Sequence, residues 1–294
     1  MIRPLRPFSL VGPGRVGSSL AMALEGKGWE CRHILPKDRS ESQRRKLSSV
    51  FPAADIVERA SSLADDFEIL FIAVQDDEIE NVVDGLLAVN NISWKSKVVL
   101  HTSGVKSVGL LQPLRGRGAS VGALHPIAAF ANRYQPRSAS EIYYDFFGDK
   151  KAQSVARRIA GLLNSKLIIL KNERQRMLLH IASAIASNST VVAIRSAEEL
   201  VSGFIHPRDA KALMTALLSS TVSNLSENEG MKSLTGPLAR ADIEVISDHI
   251  KALESKKTLL QFYKSWSLLG IDSLLRDGHD RKSRLKKIKD ILSR

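Results

Sequence analysis

The sequence predicts an α/β protein, with a doubly wound, mostly parallel Rossmann sheet followed by an all-helical C-terminal domain. Up to Lys171, short apolar runs typical of strands alternate with runs of helical periodicity, the pattern of a parallel sheet covered by helices. After Lys171 the sequence shows helical periodicity only. We therefore expect a Rossmann dinucleotide-binding domain over residues 1–171 and an all-helical domain over residues 172–294.

The individual elements follow from hydrophobic periodicity. Strands are predicted over residues 8–11, 30–35, 53–57, 68–74, 97–101, 120–124, 142–147 and 166–170. Helices are predicted over residues 15–24, 79–87, 153–163, 174–200, 207–218, 243–253 and 258–269. The segment 68–74 is nearly all apolar, as a strand buried on both faces should be. The segment 174–200 is predicted to be one long helix.

The first predicted strand runs directly into a G-x-G-x-x-G motif that opens the first helix. The motif consists of Gly12, Pro13, Gly14, Arg15, Val16 and Gly17. In this context the first glycine permits a tight turn, the second lets the backbone approach a pyrophosphate, and the third lets the helix pack on the strand. The helix N-terminus then offers N–H groups to the anion. We predict a dinucleotide site here; the alternative is a glycine-rich turn without a ligand.

The end of the second strand bears on the choice between NADP(H) and NAD(H). An NAD site usually places an acidic residue there, which bonds the ribose 2′-hydroxyl. Here Lys37, Arg39 and Ser40 could instead hold a 2′-phosphate through charge-assisted hydrogen bonds, whereas Asp38 is the competing signal. We predict NADP(H) as the cofactor, with NAD(H) as the weaker alternative.

Two later loops follow strand ends, where Rossmann sheets build ligand sites. Val74 begins the first loop and is expected to contact the cofactor. Thr102 and Ser103 lie in the second loop and could hydrogen-bond a substrate. The alternative is a turn in which these hydroxyl groups bond their own backbone.

Composition limits the function classes. The single cysteine rules out an internal disulfide framework, and the His and Cys residues show no metal-ligand spacing. We find no apolar run near the about 20 residues of a membrane span, so we expect a cytoplasmic protein. The net charge is +12, and part of it lies in residues 276–294. That segment is expected to be a solvated, frayed terminal helix rather than a surface for membranes or nucleic acid.

Several short motifs, taken in order, resemble the Rossmann-like proteins that carry a C-terminal DUF2520 domain. Besides the glycine motif they are His101-Thr102-Ser103-Gly104, Leu124-His125-Pro126, His180 with Ala186-Ser187-Asn188, and residues 234–240. By resemblance, that family belongs with the pyrroline-carboxylate reductases and the 3-hydroxyacid dehydrogenases. Those enzymes join a Rossmann domain to a helical domain that commonly forms a dimer. The resemblance thus implies a homodimer, and it implies no particular substrate.

The chain departs from the 3-hydroxyacid dehydrogenases at one catalytic position. Those enzymes carry a lysine one helical turn before an asparagine, but Ala184 stands at that spacing before Asn188. An alcohol or ketone reaction of that type is therefore in doubt. Imine reduction demands less of the protein, because a protonated imine already carries the proton.

The candidates for acid/base chemistry are few. His125 is the first, because it precedes a proline at a strand end and imidazole titrates near neutrality, although a lone histidine is more often structural. Asn188 and Ser103 are the other catalytic candidates. His180 lies eight residues before Asn188 and would share its face of the predicted long helix, as a substrate ligand.

A loop in the helical domain is a further candidate for contacting the substrate. Thr235 and Arg240 flank its Gly-Pro pair, and Arg240 suits a carboxylate held by two hydrogen bonds. The alternative is an exposed loop.

These observations together predict an NADP(H)-dependent reductase or dehydrogenase of a small, anionic imine or oxo substrate. We expect it to act as a homodimer, without membrane or nucleic-acid partners. The alternative is a dinucleotide-binding sensor or interaction protein without turnover, which the missing lysine keeps open.

Overall fold

The structure, a computed structural model, describes residues 6–294 apart from the side chain of Arg137. The chain divides into two compact units, one ending at Asn188 and the other beginning at Ser189. The sheet and the candidate site lie in the first unit, and the second unit is helical.

The first unit is built on an eight-stranded sheet. Its strands are β1 Pro7–Val11, β2 Glu30–Leu35, β3 Asp55–Ile56, β4 Ile69–Ile72, β5 Val98–His101, β6 Ser120–Ile127, β7 Tyr143–Gly148 and β8 Lys166–Ile169. They lie in the order β3-β2-β1-β4-β5-β6-β7-β8, and all neighbours are parallel except β6 and β7. The predicted fold class is confirmed.

Helices cover both faces of this sheet. The helices of the first unit are α1 Arg15–Glu25, α2 Glu41–Val50, α3 Ile79–Leu87, α4 Gln112–Gly116, α5 Lys150–Leu162 and α6 Glu173–Ala186. One buried cluster joins Phe8 of β1 to Leu24 of α1 and Ile159 of α5. A second cluster on the other face joins Leu70 of β4 to Val83 of α3. Helix α2 was not predicted, because its polar sequence has a weak apolar stripe and buries only Leu47.

The strand order fixes where a ligand can bind. The chain runs outward from β1 to β2 and β3 and then returns to β4, on the other side of β1. At such a reversal the connections leave β1 and β4 in opposite directions, so a crevice opens beyond their carboxyl ends. The glycine motif follows β1 directly and therefore lies at this crevice.

The second unit has a core of its own. Helix α7, Asn188–Val201, leads into it, and its other helices are α8 Pro207–Glu227, α9 Gly236–Ala239, α10 Ile243–Leu253, α11 Lys257–Arg276 and α12 Lys282–Leu292. The expectation of a frayed terminal helix is wrong: Leu285 and Ile288 of α12 are fully buried against α10 and α11. An apolar stripe every three to four residues anchors this otherwise basic helix.

The predicted long helix 174–200 is wrong in one respect, because a break at Ser187 separates α6 from α7. The N–H of Ser187 is shared between the carbonyls of Ser183 and Ala184, and the Ser183 hydroxyl donates back to the Leu179 carbonyl at 2.9 Å. Such back-bonding by serine bends helices. His180 and Asn188 consequently lie on different helices, not on one face of a single helix as predicted.

Helices α6 to α8 expose many large apolar side chains. They are Met177, Leu178, Ile181 and Ile185 on α6, Val191, Val192 and Leu200 on α7, Phe204 after it, and Leu213, Leu217, Val222 and Leu225 on α8. The stretch Glu173–Val201 reaches a mean hydropathy of 1.6 over 18 residues, long and apolar enough to cross a membrane by length and composition. One such stretch does not by itself identify a membrane span, because helices of soluble proteins meet the same two criteria. An apolar surface of this extent also marks protein–protein interfaces.

The end of the sheet and the division between compact units do not coincide. The last strand ends at Ile169, close to the predicted boundary at Lys171, but α6 belongs to the first unit. The functional boundary at residue 171 stays a prediction.

Candidate functional site

A cavity of about 1250 Å³ opens beyond the carboxyl ends of β1, β2, β4 and β5. All the residues that line it belong to the first unit. Pockets for drug-sized ligands measure about 300–1000 Å³. The cavity therefore has room for a dinucleotide and a small second molecule.

The glycine motif forms one wall of the cavity. Gly12 has a φ of +88°, and a Cβ on it would lie 2.7 Å from the Ala73 carbonyl oxygen, so a side chain is excluded there. A Cβ on Gly17 would collide with the carbonyl of Gly12, which shows how closely α1 packs on β1. Gly14 is different, because a Cβ there would meet only Ala73, at 4.0 Å. The missing side chain at Gly14 thus leaves space on the ligand side.

This wall fits the pyrophosphate of a dinucleotide. Residues Gly12 to Val16 line the cavity, and α1 begins at Arg15. The first N–H groups of a helix have no partners within it and carry the positive end of the helix dipole. Val74, also predicted to contact a cofactor, lines the cavity beside them.

The end of β2 supplies the charged part of the cavity. Lys37 and Arg39 line it, as predicted, and Lys37 Nζ lies 2.9 Å from a Glu78 carboxylate oxygen. That hydrogen bond and the negative charge of Glu78 raise the pKa of Lys37. Arg59 also lines the cavity, a residue that the sequence analysis did not single out.

Asp38 and Ser40 are engaged with each other. The Ser40 N–H donates to Asp38 Oδ1 at 2.9 Å, and hydrogen bonds from Ser40 lower the pKa of Asp38. The Ser40 hydroxyl accepts the Gln43 N–H and so caps α2. Ser40 therefore has a structural task, and Asp38 is less free to bind a ribose hydroxyl than the sequence suggested.

A histidine–aspartate pair lies at the opposite end of the cavity. His125 on β6 is the register partner of Asp145 on β7, and His125 Nδ1 lies 2.8 Å from Asp145 Oδ2. The Asp145 side chain is 3% exposed, whereas that of His125 is 18% exposed and lines the cavity. A buried carboxylate that accepts from Nδ1–H selects one imidazole tautomer and leaves Nε2 as the free acceptor.

His180 of α6 approaches the same point. Its ring centroid lies 5.7 Å from that of His125, and its Nδ1 is buried without a hydrogen-bond partner in the described structure. Gly104 lies between the two rings: a Cβ there would be 2.7 Å from His180 Nδ1 and 3.0 Å from His125 Nε2. Only glycine at this position lets both imidazoles converge.

A buried arginine holds the loop that carries Gly104. The Arg176 guanidinium, 0% exposed, donates to the carbonyls of Ser103 at 2.7 Å and Lys106 at 2.6 Å, and it pairs with Glu173 at 2.6 Å. Glu173 in turn accepts the Val108 N–H at 2.9 Å. These bonds fix the loop after β5 to the first turn of α6, the helix that carries His180.

The hydroxyl groups of this loop have two tasks. Thr102 and Ser103 both line the cavity. Ser103 Oγ also accepts the N–H groups of Val105 and Lys106, at 3.2 and 3.0 Å, in a local turn. The Ser103 O–H remains a donor toward a ligand, because an acceptor role leaves the hydroxyl hydrogen free.

His101 lies under the site and is neutral. Burial, together with the positive charge of Arg176, lowers the pKa of His101 to about 3. It is therefore an uncharged residue at the carboxyl end of β5.

Three predicted site residues are not among those that line the cavity. Asn188 is exposed and does not line the cavity. Thr235 and Arg240 are exposed residues of the second unit, where the Arg240 carbonyl accepts from Arg281 at 2.6 Å. The structure thus brings His125, His180, Thr102 and Ser103 together, and it gives no support for including these three.

Asp145, Gly104 as a spacer, and Arg59 were not predicted from the sequence. One signal for Asp145 was present, because it is the only charged residue in a predicted strand of aromatic neighbours. A buried carboxylate needs a partner, which points to a polar site beside that strand. Among residues 6–294, no group of three or more His, Cys, Asp or Glu side chains could hold a metal ion.

Two family matches cover most of the chain. A Rossmann-like domain matches residues 2–126, and the domain of unknown function DUF2520 matches residues 142–269. The chain is a Rossmann-like protein with a DUF2520 domain. The pair described above joins these two regions, because His125 lies in the first match and Asp145 in the second. A search of curated proteins finds no match to the sequence.

Solved structures share the fold at low sequence identity. A Bacteroides fragilis protein, provisionally described as an NADP oxidoreductase, has 22% identity and a TM-score of 0.72, covering 90% of this chain and 96% of its own. A Thermotoga maritima protein has 20% identity and a TM-score of 0.65, covering 98% and 100%. A Plasmodium falciparum pyrroline carboxylate reductase with bound NADP has 13% identity and a TM-score of 0.61, covering 97% and 98%. The chain therefore has a fold that reductases also adopt.

Proposed function

We propose that this protein is an NADP(H)-dependent oxidoreductase, a reductase or dehydrogenase, of a small anionic imine or oxo substrate. One observation carries the proposal: a single cavity is lined both by the glycine motif after β1 and by His125 of the His125–Asp145 pair. The first feature suits a dinucleotide and the second suits proton transfer. Hydride transfer to or from a carbonyl carbon needs both, and transfer to a protonated imine needs the first.

The residues of the chain would share the work in a simple way. The backbone of Gly12 to Val16 would hold the pyrophosphate, and Val74 would contact the dinucleotide beside it. The bound nicotinamide would supply or accept the hydride. His125 Nε2 would hold the proton that the substrate gives up or takes, and Asp145 would keep the ring in the required tautomer.

Charge supports NADP(H) over NAD(H) and an anionic substrate. More cationic than acidic side chains line the cavity, namely Arg15, Lys37, Arg39, Arg59 and Arg133 against Asp38, Asp76 and Glu78. Asp38, the residue that would favour NAD, is engaged by Ser40. A 2′-phosphate would find cationic groups at the end of β2.

Titration with NADPH and NADH tests the proposal first. The wild-type protein should bind NADPH more tightly, and the double variant Lys37→Ala/Arg39→Ala should lose NADPH affinity while its NADH affinity stays the same. Equal losses for the two nucleotides would contradict the 2′-phosphate assignment. Binding of neither nucleotide by a folded sample would overturn the oxidoreductase proposal.

We also propose that the protein works in the cytoplasm as a homodimer. The exposed apolar side chains of α6 to α8 support this proposal, because a second copy could bury them. Sedimentation velocity should give the mass of a dimer, and Leu217→Glu should shift it toward a monomer. A monomeric wild-type protein at assay concentrations would contradict the proposal, and membrane-bound material in cell fractions would contradict the location.

A further inference from the structure

The pair at the end of the cavity is built for moving a proton. The Asp145 side chain is 3% exposed, and its Oδ2 accepts a hydrogen bond from His125 Nδ1 at 2.8 Å. The carboxylate therefore fixes the tautomer in which Nε2 has a free lone pair. When Nε2 takes a proton, the same buried carboxylate stabilises the imidazolium that forms.

Two reductions of the proposed class make different demands on such a pair. A protonated imine already carries the proton of the product amine, so hydride addition completes the reaction. A ketone becomes an alkoxide when hydride adds, and that oxygen must receive a proton. In the reverse direction, the hydroxyl proton of an alcohol must leave as the hydride leaves carbon.

The second histidine fits an oxygen as well. His180 Nδ1 is buried without a partner in the described structure, and it converges with His125 Nε2 on the space left free by Gly104. A Cβ on Gly104 would lie 2.7 Å from His180 Nδ1 and 3.0 Å from His125 Nε2, so the two nitrogens are no farther apart than the sum of these distances. One oxygen can bridge such a gap with two hydrogen bonds. An oxygen bound there would satisfy His180, whose buried polar atom otherwise lacks a hydrogen bond.

From this geometry we infer that the substrate is a small secondary alcohol and its ketone, a hydroxy acid and the matching oxo acid, rather than an imine. The inference rests on the proposed oxidoreductase function. In the oxidation, the C–H bond would break, and a bound oxidised nicotinamide would accept the hydride with its electron pair. The O–H bond also breaks, its proton passes to His125 Nε2 and then to solvent, and the C=O double bond forms. His125 is the catalytic residue, and Asp145 is its positioning residue. This inference runs against the sequence-based doubt about an alcohol or ketone reaction, which followed from the missing lysine before Asn188.

The test is a comparison of substrate classes. Wild-type protein is assayed with NADP⁺ and a panel of 2- and 3-hydroxy acids, with NADPH and the matching oxo acids, and with NADPH and a cyclic imino acid, 1-pyrroline-5-carboxylate. The absorbance of the reduced nicotinamide reports each reaction. We expect turnover of at least one hydroxy acid and its oxo acid.

Asp145→Asn separates a positioning role from a structural one. It should lower kcat for the hydroxy acid by about 10²- to 10⁴-fold, while KM and the NADPH dissociation constant stay within about twofold. Asp149→Asn is the matched control, since Asp149 pairs with Arg115 and does not line the cavity. It should leave kcat unchanged. If Asp145→Asn does not fold, His125→Asn gives the same readout.

Three results would overturn the inference while leaving the proposed function in place, provided that NADPH still binds. They are turnover of the cyclic imine alone, oxo-acid turnover that Asp145→Asn does not change, and no turnover of any hydroxy or oxo acid. Failure of the wild-type protein to bind NADPH would overturn the inference and the proposed function together.

Discussion

Gly12 and Gly104 line the same cavity, in the loops that follow β1 and β5, and are needed for different reasons. At Gly12 the backbone has a φ of +88° and a Cβ would strike the Ala73 carbonyl, so a local turn requires the glycine. At Gly104 a Cβ would strike the rings of His125 and His180, which other elements carry. The first requirement is local and shows in a sequence motif. The second arises only when β6 and α6 meet the loop after β5.

Gly12→Ala should have the largest effect, and it should act on folding. The left-handed backbone and the clash with Ala73 together should lower the free energy of unfolding by about 2–4 kcal/mol, as urea unfolding would show. Gly14→Ala is the control, because its φ of −76° is ordinary and its Cβ would meet only one atom, at 4.0 Å. Gly14→Ala should keep the stability and lose NADPH affinity. A Gly12→Ala protein as stable as wild type would contradict the requirement for glycine in this turn.

Gly104→Ala should act on turnover instead. The added methyl group would push His125 and His180 apart, and displacing catalytic groups by about 1 Å costs roughly 10²-fold in kcat. The NADPH dissociation constant should change little, because the glycine motif belongs to another loop, the one after β1. Gly161→Ala in α5 is the control, since a Cβ there meets nothing within 4 Å. Unchanged kcat in Gly104→Ala would refute the convergence of the two rings.

Because His101 is neutral in the folded protein, we expect the free energy of unfolding to fall in acid. Its pKa in the folded protein is about 3, below the ordinary value of 6.5. Between these values the unfolded chain binds a proton that the folded chain does not, so the free energy of unfolding falls as the pH falls from 6.5 toward 3. The contribution is at most about 1.4 kcal/mol per pH unit. Urea unfolding of His101→Gln across this range should give a shallower slope than wild type, and equal slopes would contradict the assignment.

Glu78→Gln, which frees Lys37 after β2, should have the smallest effect, a change in NADPH affinity. Glu78 holds Lys37 Nζ at 2.9 Å, and the Lys37 side chain is 73% exposed. Solvent screens such an exposed pair, so freeing Lys37 should tighten NADPH binding by at most about fivefold. NADH binding should not change. Glu41→Gln, which breaks the exposed pair with Arg45 in α2, should alter neither affinity.

Most of the sheet could be predicted from the sequence, because each strand has a local signature. The predicted segment 30–35 matches β2, and 79–87 matches α3. Where the prediction failed, local signals were weak or misleading. Helix α2 has mostly polar residues, and the break at Ser187 depends on serine hydrogen bonds within an otherwise regular apolar pattern.

The candidate site divides in the same way. The sequence by itself determined the strand–glycine–helix unit and the cationic end of β2, because contiguous residues form both. Only the tertiary structure decided the His125–Asp145 pair, the approach of His180 and the space at Gly104. The partners come from β6, β7, α6 and the loop after β5, and an antiparallel register brings residues 20 positions apart to 2.8 Å. No short-range pattern encodes that register, because it arises from how strands pair across the whole sheet.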